Sequence, residues 1–400
     1  MDLSLSPETN KLLGELREWS MSELRPFARE ADRTHSIPEG AVKALETCPM
    51  QTSPFGGRVE YPRRNEPSFV ASEADGTYVL SYAVAEEMVY GDVLALVITK
   101  GNGIGGKVVS LMGNDEQKER WAGGLDRGEF HYSGFALTEP HCGSDAAALR
   151  TTAVRDGDTY VINGHKQFCT GGAISDFVVV FATVDPSQGS RGIRGFVVPK
   201  GTPGFNVIRA NESKLGSRVF STSELSFENA VIPAENILGW PDPDAAGFVK
   251  AMETLNSTRG SVGAMATGLA QAAVDQAASY LVKNRTSFSV GRAARFADEL
   301  ERMNSALMTS RYLARRVAWR IDQGLPHASQ ASMAKAYGPR VAERVAARVL
   351  QLMGPDGYSE EYLVEKWHRD LKIQDIWEGT GNIQRIVISR ALGTTGFLPA

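Results

Sequence analysis

A chain of 400 residues is long for one hydrophobic core and points to two or three domains. Its 42% hydrophobic and 22% charged residues are ordinary for a soluble globular protein, and a formal net charge of -4 argues against a nucleic-acid binder, which shows a basic patch. No apolar run is long enough to cross a bilayer, and the start Met1-Asp2-Leu3-Ser4 lacks the pattern of a signal peptide. Cys48, Cys142 and Cys169 have no metal-site spacing and the six histidines are scattered, so a reducing, cytoplasmic setting without a metal is expected.

The chain opens with helical patterns. Lys11 to Ala31 and Tyr78 to Glu87 mix apolar and charged residues at helical spacing. Pro49 to Pro67 is rich in Pro, Gly and Arg and reads as a loop. Gly113-Asn114-Asp115 is a turn, and Glu116 to Leu125 a helix. From about Phe130 the period changes. Asp156-Gly157 and Asn163-Gly164 read as hairpin turns around Thr159-Tyr160-Val161-Ile162. Asp176 to Ala182 and Gly195 to Val198 are short β-rich runs, punctuated by Pro186, Gly189, Pro199 to Pro203 and Asn211. This middle third is expected to be a small barrel or sandwich. From about Ala245 long Ala-rich helices return at Thr258–Leu281, Ala293–Asp322 and Ser329–Met353, as in a helix bundle.

Three motifs stand out. Phe135-Ala136-Leu137-Thr138-Glu139-Pro140-His141-Cys142-Gly143-Ser144-Asp145 offers hydroxyls, sharp turns and backbone N–H groups suited to a planar heterocycle and a phosphate; alone, it reads as a Thr/Ser-capped turn. In Lys166-Gln167-Phe168-Cys169-Thr170-Gly171-Gly172, Phe168 and Thr170 share a strand face and can cover and hydrogen-bond a ring, or serve as a core Phe beside a turn. Near the C-terminus, Ile376-Trp377-Glu378-Gly379-Thr380-Gly381-Asn382 sets one carboxylate on a tight loop before the helical spacing of Ile383, Ile386, Val387, Ala391 and Leu392. Preceded by Ile376 and Trp377, Glu378 is open to two readings. Poor solvation raises its pKa and makes it a proton acceptor, or Thr380 caps the helix and Glu378 only favours its dipole. Asn284-Arg285-Thr286-Ser287-Phe288 and Gln351-Leu352-Met353-Gly354-Pro355-Asp356-Gly357-Tyr358 mean little alone.

In order and spacing these pieces resemble the acyl-CoA dehydrogenase family of flavoproteins, from roughly Glu116 to Leu392. The resemblance implies an α-helical N-terminal domain over 1–130, a central β-barrel over 131–244 and a C-terminal four-helix bundle over 245–400. It implies FAD between barrel and bundle. Phe135, Leu137, Thr138, Gly143, Ser144, Phe168 and Thr170 would hold the isoalloxazine and pyrophosphate. Arg285, Phe288, Gln351, Gly354 and Pro355 would serve the FAD of a partner subunit, and Thr380 and Asn382 would close over the cofactor, which implies a dimer or a dimer of dimers. Glu378 matches the base that removes the α-proton of an acyl-CoA thioester while the β-hydrogen leaves as hydride to flavin N5. Ser144, Asn256, Arg259, Trp377 and Gly379 would line the substrate, and an electron-transfer flavoprotein would take the electrons. Relatives that place the base on a bundle helix carry it where Thr258 stands here.

Departures from the family pattern are Trp377 for Tyr, Pro355 for Gly, Phe168 for Trp, Phe296 near a common Gln, and Phe55-Gly56-Gly57 for Tyr-Gly-Gly. Lys100 falls near the pocket floor of medium-chain relatives, as a cation for a polar acyl tail or as a snorkelling surface lysine. An oxidase using O2, or a dehydrogenase of carrier-protein thioesters, keeps the same fold. A non-catalytic or nucleic-acid-associated flavoprotein is disfavoured by Glu378 and by the absence of a basic stripe.

Overall fold

The computed structural model describes residues 3–52, 59–60, 76–98, 103–243 and 247–394. Lys100 and Phe55-Gly56-Gly57 lie outside the described residues. The chain forms two compact units. One holds Met1–Thr99, Lys214–Val219 and Asn256–Ala400, the other Lys100–Ser213 and Phe220–Leu255.

The first unit is helical. Ser6 starts the Pro7–Trp19 helix by accepting the Thr9 N–H at 3.2 Å, and Leu12, Leu13, Leu16 and Trp19 form its buried stripe. The helix expected over Lys11 to Ala31 is present in pieces, because Pro26 removes a backbone donor after a wide π turn at Ser20–Leu24, and Ala28–Thr34 resumes. Within the expected loop, β1 (Gln51–Thr52) and β2 (Val59–Glu60) pair as a two-residue antiparallel ladder. The Thr77–Gly91 helix is buried almost throughout, and its first turn is capped by Asp322, whose carboxylate accepts from Tyr78 N at 2.9 Å and Val79 N at 3.0 Å.

The Ala-rich patterns become long helices at Gly247–Lys283, Val290–Asp322 and Ala328–Met353. The last of these packs on Val290–Asp322 and on two further helices, Val364–Gln374 and Gly381–Thr394. Small residues allow the close approach: a Cβ added at Gly338 would lie 3.1 Å from Gly263 Cα. No described helix is long and apolar enough to cross a membrane.

The second unit is built on one mixed, seven-stranded sheet. Its strands are β3 (Ser133–Ala136), β4 (Thr152–Asp156), β5 (Thr159–Thr170), β6 (Phe177–Thr183), β7 (Ile193–Pro199), β8 (Phe205–Arg209) and β9 (Thr222–Pro233). The order is β3-β6-β4-β5-β9-β8, with β7 also on β6. β6 has apolar residues on both faces. Phe177, Val179 and Phe181 join Val108, Val109, Met112 and Trp121 from the neighbouring helical segments, while Val178, Val180 and Ala182 join Ile162, Phe196, Leu225 and Phe227. A strand buried on both faces reads as a continuous apolar run.

The closed barrel is corrected to a curled half-barrel. Closure requires the outer strands to hydrogen-bond to each other, and among the described strands β8 pairs only with β9 and β7 only with β6, apart from a single bridge from Phe196 to Ile237 outside the strands. The edge of β6 is divided between β3 and a single bridge to β4 at Thr183, so the sheet steps instead of winding round. The hairpin turn expected at Asn163-Gly164 is a second correction. Asp156-Gly157 does end β4, but Gly164 lies inside β5 at a register shift. It takes φ 156, and a Cβ there would meet Thr151 Oγ1 at 2.4 Å, so glycine permits a bulge where a turn was expected.

Candidate active site

Glu378 sits on the loop between the Val364–Gln374 and Gly381–Thr394 helices, in the left-handed region at φ 53. A non-glycine residue holds that conformation only where its surroundings fix it. Two carbonyls fix this loop. The Glu378 carbonyl accepts from Arg259 Nε at 3.0 Å and Gln384 Nε2 at 3.4 Å. The Asp375 carbonyl accepts from the Gly381 N–H at 3.0 Å and Lys335 Nζ at 2.8 Å. Between them, Gln384 Nε2 also reaches the Gly379 carbonyl at 2.9 Å, and a Cβ on Gly379 would lie 2.6 Å from that nitrogen. Thr380 caps the following helix through the Ile383 N–H at 3.3 Å.

The cations here hold main chain, which leaves the carboxylate short of partners. Glu378 Oε2 accepts from Thr258 Oγ1 at 2.6 Å, while Oε1 is shielded from solvent with no hydrogen-bond partner among the described residues. Although the residue as a whole is only half-buried, its carboxylate is enclosed. Burial raises its pKa to about 7, against the lowering effects of the Thr258 hydrogen bond and the charges of Arg259 and Lys335. Such a group takes up a proton near neutral pH.

Asn256 and Trp377 belong to this neighbourhood. Asn256 Oδ1 accepts from Arg259 Nη1, and Trp377 directly precedes Glu378. Asn382 is exposed in the first turn of its helix and accepts from Arg385 at 2.9 Å. A second group in the same unit gathers around Tyr280. The Phe288 ring lies 6.3 Å from the Tyr280 ring, and Tyr280 donates to Asp356 at 2.7 Å, next to Gly354 and Pro355. Arg285, Gln351 and Pro355 are exposed, and Gly354 ends its helix at φ 66.

The sheet unit holds the remaining candidates. The Thr138 carbonyl accepts the Gln167 N–H at 3.0 Å, which sets the Phe135–Asp145 motif beside the end of β5. Glu139 is buried between Lys166 Nζ at 2.7 Å, Thr151 Oγ1 at 2.6 Å and the Arg150 N–H at 2.7 Å, so it anchors the loop from beneath. Its carboxylate comes within 4.8 Å of ligand atoms on His141 and Cys142, but Lys166 and Thr151 already occupy it. Phe135 and Leu137 turn their side chains into the hydrophobic cluster, whereas Gly143 and Ser144 are exposed.

The alternation expected to align Phe168 with Thr170 is interrupted by a register shift between Lys166 and Cys169. Phe168 bulges out at φ 57 with 59% of its surface exposed, and Thr170 is half-buried. An exposed phenylalanine at positive φ is a strained feature, and its neighbour Gln167 donates to the Thr138 carbonyl of the hydroxyl-bearing loop. These residues fit a planar heterocycle that carries carbonyls and a phosphate.

Four contributors escaped sequence reasoning: Thr258 as donor to Glu378, Lys335 and Gln384 as clamps, and Tyr280. Lys335 had a visible signal, since it falls on the buried stripe of its helix with Ala331, Ala334, Gly338 and Ala342. Thr258 stood out only as the position where some relatives carry the base; its role as donor to Glu378, 120 residues away in sequence, had no local signal.

Residues 134–230 match the model for the acyl-CoA dehydrogenase middle domain, and residues 245–393 that for the acyl-CoA dehydrogenase C-terminal domain. The short-chain specific acyl-CoA dehydrogenase of Clostridium acetobutylicum is 35% identical, covering 97% of this chain and 99% of that one. The solved butyryl-CoA dehydrogenase of Megasphaera elsdenii superposes with a TM-score of 0.84 at 31% identity, over 98% of this chain and 100% of that one. A glutaryl-CoA dehydrogenase of Mycobacterium smegmatis, solved in complex with FADH2, superposes with a TM-score of 0.81 at 26% identity, over 98% and 95%.

Proposed function

Since this chain belongs to the acyl-CoA dehydrogenase family, we propose that it carries out FAD-dependent α,β-dehydrogenation of an acyl-CoA thioester to the trans-2-enoyl-CoA, with Glu378 removing the α-proton. The observation that carries this reading is the Glu378 carboxylate, with one oxygen on Thr258 and the other without a partner among the described residues, on a loop fixed through its carbonyls. FAD, when bound, supplies the acceptor for the β-hydrogen. Phe168, Thr138, Ser144 and Thr170 would hold it on the sheet unit. Arg285, Phe288, Gln351, Gly354 and Pro355 would serve the cofactor of a second copy, and Thr380 and Asn382 would contact it beside the base.

An α-C–H is a weak acid, so the thioester carbonyl must be polarised as its proton leaves. The Glu378 backbone N–H is the donor assigned here, and loss of one such donor typically costs about 3 kcal/mol or more of barrier. Arg259, charged at any working pH, orients the loop and the substrate with Asn256 and does not exchange protons. The short-chain relatives support a short acyl group, and the family resemblance supports an electron-transfer flavoprotein as electron acceptor.

The test is an anaerobic titration of the flavin-loaded protein with short, medium, branched and dicarboxylic acyl-CoAs. Loss of flavin absorbance with one class names the substrate. No loss with any thioester, despite bound FAD, sinks the reading. Two further outcomes are expected. Phe168→Ala weakens FAD retention about tenfold, read by flavin content after gel filtration, through loss of ring stacking. Thr258→Val removes a hydrogen bond that lowers the Glu378 pKa, so the acidic limb of the reduction rate moves to higher pH, by about one unit. A limb that stays put separates Thr258 from the proton acceptor.

A further inference from the structure

Lys335 is fully buried in the Ala328–Met353 helix, on a stripe otherwise made of small and apolar residues. Burying an ammonium is unfavourable, so a lysine in such a stripe calls for an electrostatic role. Its hydrogen-bond partner is the Asp375 carbonyl at 2.8 Å, and that same oxygen takes the Gly381 N–H at 3.0 Å. Asp375 and Gly381 are the two ends of the loop that carries Glu378. One carbonyl therefore ties both ends to a single buried cation.

We propose that Lys335 is a positioning residue for Glu378, an inference that rests on reading Glu378 as the base: its ammonium fixes the loop through the Asp375 carbonyl and favours the ionised carboxylate through the low-dielectric interior. The groups that interact with Glu378 or with Lys335 come from four elements. Thr258 and Arg259 lie on the Gly247–Lys283 helix, Tyr82 on the Thr77–Gly91 helix, Lys335 on its own helix, and Asp375 at the start of the loop. Tyr82 donates to the Ser257 carbonyl at 2.8 Å, and burial keeps its phenol protonated. Arg259 carries a permanent charge. Lys335 is the adjustable cation, since burial lowers its pKa to about 8, with Asp375 and Glu378 opposing that fall and Arg259 adding to it. Its titration lies about one unit above that of Glu378, so it is mostly charged at the Glu378 midpoint.

The experiment follows Glu378 directly in the flavin-loaded enzyme without substrate. Isotope-edited infrared spectra of protein labelled with 13C-glutamate are recorded against pH, and the Glu378→Gln spectrum is subtracted to isolate one carboxyl. Lys335→Met and Lys335→Gln are expected to raise its titration midpoint by about one pH unit or more, and Lys335→Arg to keep it near the wild-type value. The acidic limb of the substrate-driven reduction rate should move in parallel. An unchanged midpoint in the neutral variants overturns the proposal. An equal shift in Lys335→Arg overturns it too, because a retained cation would then not be what favours the ionised carboxylate. The same holds if the neutral variants fail to fold while Lys335→Arg folds, since the role would be structural. Substrate-driven reduction that survives in Glu378→Gln would instead refute the base itself, whatever the midpoints show.

Discussion

Glu378→Gln is expected to slow substrate-driven flavin reduction by about 10³–10⁴-fold with bound FAD unchanged, because only the proton acceptor is lost. The loop is held through main-chain carbonyls at Asp375 and Glu378, which the substitution leaves in place. A glutamine oxygen can still accept from Thr258. The same variant carries a stability signature. In the folded protein the Glu378 pKa is raised from 4.5 to about 7, so between those values the folded state binds more protons than the unfolded chain. Stability from this group is complete below pH 4.5 and is lost as pH rises through about 7. Glu378→Gln removes that loss, and the variant should be more stable than wild type at pH 8 by about 1–3 kcal/mol, with little difference at pH 4.5. Urea titrations at the two pH values measure it. Equal gains at both would show that the carboxyl is not held in its neutral form by the fold, and would remove the basis for its role as a base near neutral pH.

Much of the architecture was legible because it rests on local periodicity. The three long helices are written in Ala-rich stripes, and β6 in an unbroken apolar run that follows from burial on both faces. Closure of the sheet was not legible, since it depends on whether β7 and β8 find each other, a pairing across the sheet that no local pattern encodes. Asn163-Gly164 misled for a related reason: the same dipeptide serves a tight turn or a bulge, and only the proximity of Thr151 decides between them. At the candidate site the sequence displayed the loop and its carboxylate. What sets the carboxylate's proton affinity comes from residues far away in the chain, Thr258, Arg259 and Lys335, brought in by helix packing.

The largest stability effect is expected at Lys366→Met. Lys366 is buried on the Val364–Gln374 helix, where its ammonium contacts both Asp92 oxygens and reaches Asp370 at 2.9 Å; Asp92 also accepts from Trp367 Nε1 at 3.0 Å. Asp370 in turn accepts the Ser217 N–H, which fastens the 214–219 segment to this helix. Burial works against the ammonium, but the two carboxylates outweigh it and raise the Lys366 pKa. Methionine would fill the volume and leave two carboxylates buried without their cation. Breaking a buried pair in this way costs about 3–5 kcal/mol, far more than an exposed pair would. The loss should depend on pH. Burial raises the Asp370 pKa to about 6, Lys366 opposes that rise and Asp92 adds to it. Without Lys366 the Asp370 pKa moves higher still, so the variant's deficit grows as pH rises above about 6 and shrinks below it, where Asp370 is protonated in both proteins. Thermal unfolding of Lys366→Met and wild type at pH 5 and pH 8 distinguishes the two contributions. A deficit equal at both pH values would mean that lost packing, and not an uncompensated pair of carboxylates, is what the lysine prevents.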